Sequence, residues 1–203
     1  MTSPIEAQVR RGRGQLWGLI ALFFVPLLIA FALYYGAGGW RPAGNTNKGE
    51  LIHPPRPLPE FALSALDGSA LSEQTLRGKW TLVYIGDGGC DTRCREALVL
   101  TRQTRLALND DLPRVQRLFL ATGDCCDLDY LSTQHPDLMA AAVGEAGGSD
   151  LLQVFPEGTA AATAGRIYIV DPLGNLMMSY APEAPREALL DDLEKLLKLS
   201  HIG

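Results

Sequence analysis

The 203-residue sequence predicts one α/β domain that follows a membrane-spanning helix. Residues 16–35 form an uncharged run of about twenty residues, long enough to cross a bilayer core as a helix. After residue 59, short apolar runs typical of strands alternate with longer segments of helical periodicity. Roughly 160 residues follow the apolar run, which is the usual size of a single domain.

The charges around the apolar run predict its orientation. Positive charge lies mostly before the run, with one arginine shortly after it: Arg10, Arg11, Arg13 and Arg41. Because positive flanks stay in the cytoplasm, we expect residues 1–15 to be cytoplasmic, residues 16–35 to form an anchor in a bacterial inner membrane, and the remainder to be periplasmic. A cleavable signal peptide is the alternative, although its apolar core is usually only about 7 to 15 residues long. The net charge of −5 argues against nucleic acid as a partner.

Residues 36–59 are rich in glycine, proline and asparagine, and they predict an extended linker in which His53 is solvated. The exported domain is expected over residues 60–200. It opens with apolar residues on both sides of Asp67-Gly68, a dipeptide that favours a β-hairpin.

A βαβ unit is predicted next. Residues 80–85 form an apolar run, residues 96–108 have helical spacing, and residues 115–121 form another short apolar run. A crossover of this kind is right-handed and makes the two strands parallel. The carboxyl ends of both strands should therefore lie at the same edge of the sheet.

The remaining segments complete the prediction. Residues 127–135 predict a helix, and residues 140–148 and 155–165 predict mobile loops. A second hairpin and a closing helix with a leucine stripe are expected at residues 166–180 and 185–199. This order of elements is typical of a thioredoxin-like fold with an N-terminal β-hairpin extension.

Two cysteines follow the first predicted strand of the βαβ unit. Cys90 and Cys94 lie in Cys-Asp-Thr-Arg-Cys, in a glycine-rich setting that we expect to be exposed. Such a pair forms a disulfide or chelates a soft metal, and a helix N-terminus with Arg93 and Arg95 nearby lowers thiol pKa values. An exported compartment permits disulfides. A static disulfide is the alternative to redox or copper chemistry.

A second pair, Cys125 and Cys126, follows the strand at residues 115–121 and should lie at the same sheet edge. Adjacent cysteines are expected not to bridge each other because the ring is strained. A bridge to Cys90 or Cys94 is one expectation, and a four-thiol site for Cu(I) or Zn(II) is a second. Unpaired thiols are the third.

The sequence supports weaker predictions for the other polar residues near this edge. Asp124, Asp127 and Asp129 form either an acidic rim of the site or a solvated loop. We expect His135 to point away from the cysteines and His201 to lie in a frayed tail.

Three segments resemble the Sco/SenC family of cytochrome c oxidase assembly proteins. They are the cysteine motif after Val83-Tyr-Ile-Gly86, the strand at residues 118–120, and residues 167–175 with Asp171-Pro-Leu-Gly-Asn175. The resemblance covers roughly residues 58–199. It implies delivery of copper to the binuclear copper centre of an oxidase, or reduction of its cysteines, through two cysteines and a histidine. Cys90 and Cys94 match the two cysteines.

The histidine of that family is not matched. Its position corresponds to Thr163, and the prolines beside the cysteines are replaced by Asp91 and Arg95. Loss of an imidazole weakens Cu(II) binding more than Cu(I) binding, because Cu(I) accepts two thiolates. The chain is therefore expected to be a divergent member lacking the copper-ligand histidine.

The predicted function is a membrane-anchored, thioredoxin-like oxidase assembly factor that acts by thiol-disulfide exchange or Cu(I) relay through Cys90 and Cys94. Its expected partners are an oxidase subunit or other copper and assembly proteins. A non-catalytic scaffold that docks on an oxidase subunit without metal is the alternative. A peroxiredoxin-type enzyme is disfavoured because its Pro-x-x-x-Thr-x-x-Cys pattern is missing.

Overall fold

The computed structural model describes residues 4–36, 46–123, 125–144, 148–200 and 202. The chain divides into two units, Met1–Asn45 and Thr46–Gly203. In the first unit, helix α1 spans Pro4–Gly36, and its part Gln15–Gly36 is long and apolar enough to cross a membrane. The large apolar side chains of that part are exposed, which suits contact with lipid chains. The predicted apolar helix is therefore present.

The second unit is built on a six-stranded sheet and a separate hairpin. The strands are β1 Glu50–Pro57, β2 Ala62–Ser64, β3 Ala70–Ser72, β4 Trp80–Asp87, β5 Val115–Thr122, β6 Leu138–Ala142, β7 Ile167–Val170 and β8 Asn175–Tyr180. The helices are α2 Glu73–Leu76, α3 Thr92–Ala107, α4 Leu128–Gln134, α5 Gly148–Gln153, α6 Ala161–Ala164 and α7 Arg186–Leu199. The strand order in the large sheet is β1-β8-β7-β4-β5-β6, and β2 pairs with β3.

Strand β4 lies inside the sheet and sets the position of the cysteine motif. It pairs in parallel with β5, from Trp80 opposite Val115 to Asp87 opposite Thr122, and antiparallel with β7. All residues of β4 except Asp87 are buried. A strand covered on both faces requires a continuous apolar run of this kind. The parallel pairing of β4 with β5 confirms the predicted βαβ unit.

The core has two layers, one on each face of the sheet. On one face, Leu98 of α3 and Leu193 of α7 pack with Phe119 of β5. On the other face, Leu71 of the β2–β3 hairpin packs in a cluster with Phe155. The predicted leucine stripe of the closing helix thus faces the core, with Leu189, Leu193 and Leu197 buried and Leu190 and Leu196 partly buried.

The predicted linker is wrong over residues 50–57, which form β1. This strand pairs antiparallel with β8, from Glu50 opposite Ser179 to Pro57 opposite Asn175, with a register shift between Leu51 and Arg56. Prolines lack a backbone N–H and are tolerated in sheets on edge strands, which is where β1 lies.

The predicted mobile loops are also partly wrong. Strand β6 and helix α5 occupy most of residues 138–153, and α6 falls inside the second predicted loop. Residues 145–147 lie outside the described part of the chain. Alanine has a weak strand preference, but β6 is held by parallel pairing with β5, from Arg117 opposite Leu138 to Ala121 opposite Ala142.

Candidate functional site

Both cysteine pairs follow strands that end at the same sheet edge. Beyond the last ladder pair of β4 and β5, the backbone N–H of Gly88 still donates to the carbonyl of Thr122 at 2.8 Å. Cys90 lies two residues after Gly88, and Cys125 lies three residues after Thr122. The parallel crossover therefore brings the two cysteine segments to one edge, as the sequence predicts.

Cys90 and Cys94 form a disulfide with Cα atoms 5.0 Å apart. A tight turn precedes it, because the N–H of Cys90 donates to the carbonyl of Asp87 at 3.0 Å and Cys90 has a φ of 44°. Helix α3 then begins with Asp91 as its N-cap, whose carboxylate accepts a hydrogen bond from the N–H of Cys94 at 3.0 Å. An Asp before a helical stretch is an N-cap signal, so this role was readable from the sequence.

The expected exposed setting of the first pair is wrong. Cys90 and Cys94 are each 2% exposed and belong to the apolar cluster that contains Leu98 and Phe119. The reason is that α3 starts at Thr92, four residues before the predicted helix, and so carries Cys94 into the packed first turn. The disulfide is part of the core.

The expectation for the second pair is also corrected. Cys125 and Cys126 form a disulfide with each other and not with the first pair. Because Cys90 and Cys94 are bonded to each other, the remaining partner within the chain for Cys125 is Cys126. Within the described residues, no group of three or more His, Cys, Asp or Glu side chains is arranged to hold a metal. The four-thiol site requires all four cysteines in the reduced state and stays a prediction.

Arg95 connects the two cysteine segments. Its Nε donates to the carbonyl of Cys90 at 3.2 Å, and its Nη2 lies 3.2 Å from Oδ2 of Asp127, the residue that follows Cys126. The guanidinium also lies 4.4 Å from the ring centroid of Tyr130 on α4, a cation–π arrangement. Asp127 is therefore an ion-pair partner of the first segment, while Asp129 is exposed and Asp124 lies outside the described residues.

His135 lies behind Tyr130. Its Nε2 and the Tyr130 hydroxyl are 3.1 Å apart, and its side chain is buried. Burial, together with the positive charges of Arg117 and Arg102, lowers the pKa of His135 to about 4 from its ordinary 6.5. The imidazole is therefore neutral at neutral pH and contacts Tyr130 through Nε2.

The segment that carries Thr163 lies beside the cysteine motif. Arg93 Nη1 donates to the carbonyl of Thr163 at 3.3 Å. Two residues on, Gly165 has a φ of 63°, and a Cβ added there would lie 2.8 Å from Cδ of Arg93. Glycine at this position permits the close approach, and apart from the glycine itself no sequence pattern indicates it.

His53 is not brought to the cysteines. His53 is exposed on β1, three strands away from β4 in the sheet order. His201 lies outside the described residues. Among the described residues, the cysteines, Asp91, Arg93 and Arg95 therefore make up the centre of the candidate site, with Asp127 and Tyr130 at its border.

A disulfide between a central strand and the helix that follows it, in a sheet with this strand order, defines a thioredoxin-like domain. A family model described as "Transmembrane-like, thioredoxin-like, C-terminal domain" matches residues 80–200, and the chain belongs to this family. A comparison with curated proteins finds no match.

Solved structures of Sco proteins share the fold, which confirms the resemblance at the level of structure. Copper-bound yeast Sco1 is 19% identical with a TM-score of 0.61, over 72% of this chain and 95% of that solved chain. Apo Sco1 from Thermus thermophilus is 19% identical with a TM-score of 0.58, over 76% and 99%. BsSco, reported with a disulfide switch and as a Sco-family oxidase assembly protein, is 15% identical with a TM-score of 0.55, over 74% and 100%.

Proposed function

We propose that this protein is a membrane-anchored assembly factor of a respiratory cytochrome c oxidase, acting by thiol-disulfide exchange or Cu(I) relay through Cys90 and Cys94. The observation that carries the proposal is the Cys90–Cys94 disulfide at the N-terminus of α3. The proteins that share the fold support it, since one is reported with copper and another as an oxidase assembly protein with a disulfide switch.

The redox half of the function follows from the position of the pair. A reducing thiolate attacks one sulfur of the disulfide, and a second thiol releases the mixed disulfide, so that two electrons and two protons pass to Cys90 and Cys94. A thiolate at a helix N-terminus is stabilised by the helix dipole. Arg95, hydrogen-bonded to the carbonyl of Cys90, adds positive charge at this point.

Copper binding requires Cys90 and Cys94 to be reduced. In the disulfide both sulfurs are bonded to each other, so copper uptake must follow reduction. The two thiolates then suit Cu(I), which accepts two soft ligands, whereas Cu(II) prefers nitrogen and oxygen ligands. The carbonyl of Thr163 accepts a hydrogen bond from Arg93. The resemblance to Sco proteins assigns the histidine ligand to this position, and a threonine offers no imidazole. Copper is therefore proposed as Cu(I) cargo.

The anchor and its orientation are part of the proposal. Residues 1–15 would lie in the cytoplasm, residues 16–35 in the inner membrane, and the thioredoxin-like domain in the periplasm. The apolar segment Gln15–Gly36 and the arginines before it support this arrangement. The domain would then act where disulfides persist.

A scaffold without metal or redox activity is the second candidate. Two observations favour it, namely the burial of Cys90 and Cys94 and the absence of the histidine at Thr163. In that case the disulfide would only stabilise the fold that contacts an oxidase subunit.

An anaerobic Cu(I) titration separates the two candidates. The full-length chain in detergent micelles is reduced and titrated against a chelator of known Cu(I) affinity, together with Cys90→Ser and the matched variant Cys125→Ser/Cys126→Ser. We expect one Cu(I) in the wild type, none at this site in Cys90→Ser, and retention in the matched variant. Failure of the wild type to bind Cu(I), combined with a disulfide that thiols do not reduce, leaves the scaffold.

A further inference from the structure

The two disulfides differ in their access to solvent. Cys90 and Cys94 are each 2% exposed, whereas Cys125 and Cys126 are partly exposed. Exchange begins when a thiolate reaches a disulfide sulfur, so its rate depends on access as well as on thiol chemistry. A thiol on another protein therefore reaches the Cys125–Cys126 pair more readily than the Cys90–Cys94 pair.

The two disulfides are also close to one another. One guanidinium, that of Arg95, donates to the carbonyl of Cys90 and pairs with Asp127, each at 3.2 Å. Asp127 is bonded directly to Cys126 along the chain. The first pair belongs to the apolar cluster on the α3 face of the sheet, and Cys125 and Cys126 pack against that same cluster.

Backbone contacts hold the two segments together before the cysteines begin. Gly88 donates to the carbonyl of Thr122 at 2.8 Å. A Cβ added to Gly123 would lie 3.1 Å from Oδ2 of Asp87, so the strand ends remain in contact beyond the ladder. The backbone that precedes each cysteine pair is thus held at the same sheet edge.

We propose that Cys125 and Cys126 form a second redox-active pair, which relays electrons from a protein dithiol to the buried Cys90–Cys94 disulfide. This inference rests on the proposed function, because it assumes that the first pair cycles between disulfide and dithiol. It assigns the adjacent pair the role of the entry point for reducing equivalents.

The relay consists of two balanced exchanges. In the first, a thiolate of the protein dithiol attacks the Cys125–Cys126 disulfide, and its second thiol completes the exchange, so the dithiol is oxidised to a disulfide and both cysteines become thiols. In the second, a thiolate of this pair attacks the Cys90–Cys94 disulfide, and its neighbour resolves the mixed disulfide. The Cys125–Cys126 bond re-forms, and Cys90 and Cys94 receive two electrons and two protons.

The mixed disulfide of the second exchange can be trapped. Four double variants of the full-length chain each keep one cysteine of each pair, for example Cys94→Ser/Cys126→Ser and Cys94→Ser/Cys125→Ser. Each is reduced in detergent micelles, oxidised with glutathione disulfide and mapped by mass spectrometry of non-reduced peptides. We expect an intramolecular bond between the pairs in most molecules of at least one variant. Absence of that bond from all four overturns the relay.

A displaced thiol provides the control. Ser132 is exposed on α4, further along the chain from the second pair. The variant Cys94→Ser/Cys125→Ser/Cys126→Ser/Ser132→Cys keeps Cys90 and one new thiol on that helix. We expect no bond to Cys90 there. Equal cross-linking in this control would mean that the bond reports chain flexibility, and would overturn the assignment.

A rate measurement separates the relay from the proposed function. Reduced thioredoxin serves as the protein dithiol, and the Cys90–Cys94 state is followed by alkylation in the wild type and in Cys125→Ser/Cys126→Ser. We expect reduction at least about tenfold slower in the variant, because attack must occur at a buried disulfide. Equal rates overturn the relay alone. A wild-type disulfide that thioredoxin and dithiothreitol both fail to reduce overturns the redox function, and the relay with it.

Discussion

The carboxylate of Asp91 accepts a hydrogen bond from the backbone N–H of Cys94 at 3.0 Å, so the residue that caps α3 also holds the second cysteine of the motif. This contact fixes the first turn of the helix on which the disulfide depends. It satisfies one of the backbone donors that a helix N-terminus leaves without an intrahelical partner.

Replacement of this cap should weaken the fold. We expect Asp91→Ala to lower the free energy of unfolding by about 1 kcal/mol, because the Cys94 N–H loses its acceptor. Asp91→Asn, which keeps an oxygen acceptor, should lose much less. Urea denaturation of the full-length variants measures both, and equal losses in the two variants would contradict the role of the cap.

Arg95 should matter more for exchange than for stability. The side chains of its ion pair with Asp127 are about half exposed. Such ion pairs contribute less than about 1 kcal/mol to the free energy of unfolding. We expect Arg95→Met to unfold almost like the wild type but to lower the yield of the trapped bond between the two cysteine pairs severalfold. Arg102→Met, two turns further along α3, is the matched control and should leave that yield unchanged.

His135 should make stability depend on pH. Its pKa is lowered in the folded protein, to about 4 from an ordinary 6.5, chiefly by burial and then by Arg117 and Arg102, against the opposing charge of Asp137. The unfolded chain therefore binds the proton more readily. The stabilisation is complete above about pH 6.5 and is lost as the pH falls toward about 4.

A variant isolates this contribution. We expect the free energy of unfolding of His135→Gln to change less than that of the wild type between about pH 6.5 and about pH 4, by up to about 3 kcal/mol. The exposed His53 supplies the control, since His53→Gln should follow the wild-type pH profile. Parallel profiles for wild type and His135→Gln would exclude the buried histidine as the source.

Gly165 should tolerate a side chain less well than another glycine of positive φ. Gly174 has a φ of 88° with no atom within 4 Å of an added Cβ, so Gly174→Ala carries only the conformational cost, about 1 kcal/mol. Gly165→Ala adds a clash with Arg93 and should cost more. Arg93→Ala in the Gly165→Ala background should reduce the difference without abolishing it, because Cγ of Pro182 would still lie 3.3 Å from the added Cβ. Thermal or urea unfolding measures both variants.

Much of the fold was predictable because its signals are local. The apolar run of β4, the helical spacing of α3 and α7, and the Asp67-Gly68 turn each depend on a few neighbouring residues. The shared edge of β4 and β5 also followed, since the handedness of a βαβ unit is a general property of chains. Strand β1 escaped prediction because its partner β8 lies more than a hundred residues away and its own prolines indicate a linker.

Burial at the site required the tertiary structure. Arg117 is fully buried, and its Nε and Nη2 each lie 3.1 Å from a carboxylate oxygen of Asp137. Its position within an apolar run of the sequence does not indicate this partner. The same holds for the cysteines. Composition shows four thiols, but only packing decides that two are buried and two remain partly accessible.

The sequence alone determined the class of the protein, the apolar helix before the domain, and the position of the two cysteine pairs at one sheet edge. These properties depend on hydrophobic periodicity, charge and crossover handedness, which short stretches of chain determine. Tertiary structure decided which cysteines pair, how deeply each pair lies, and that Arg95 joins them through Cys90 and Asp127. Those properties depend on contacts between elements distant in sequence, and no local pattern encodes them.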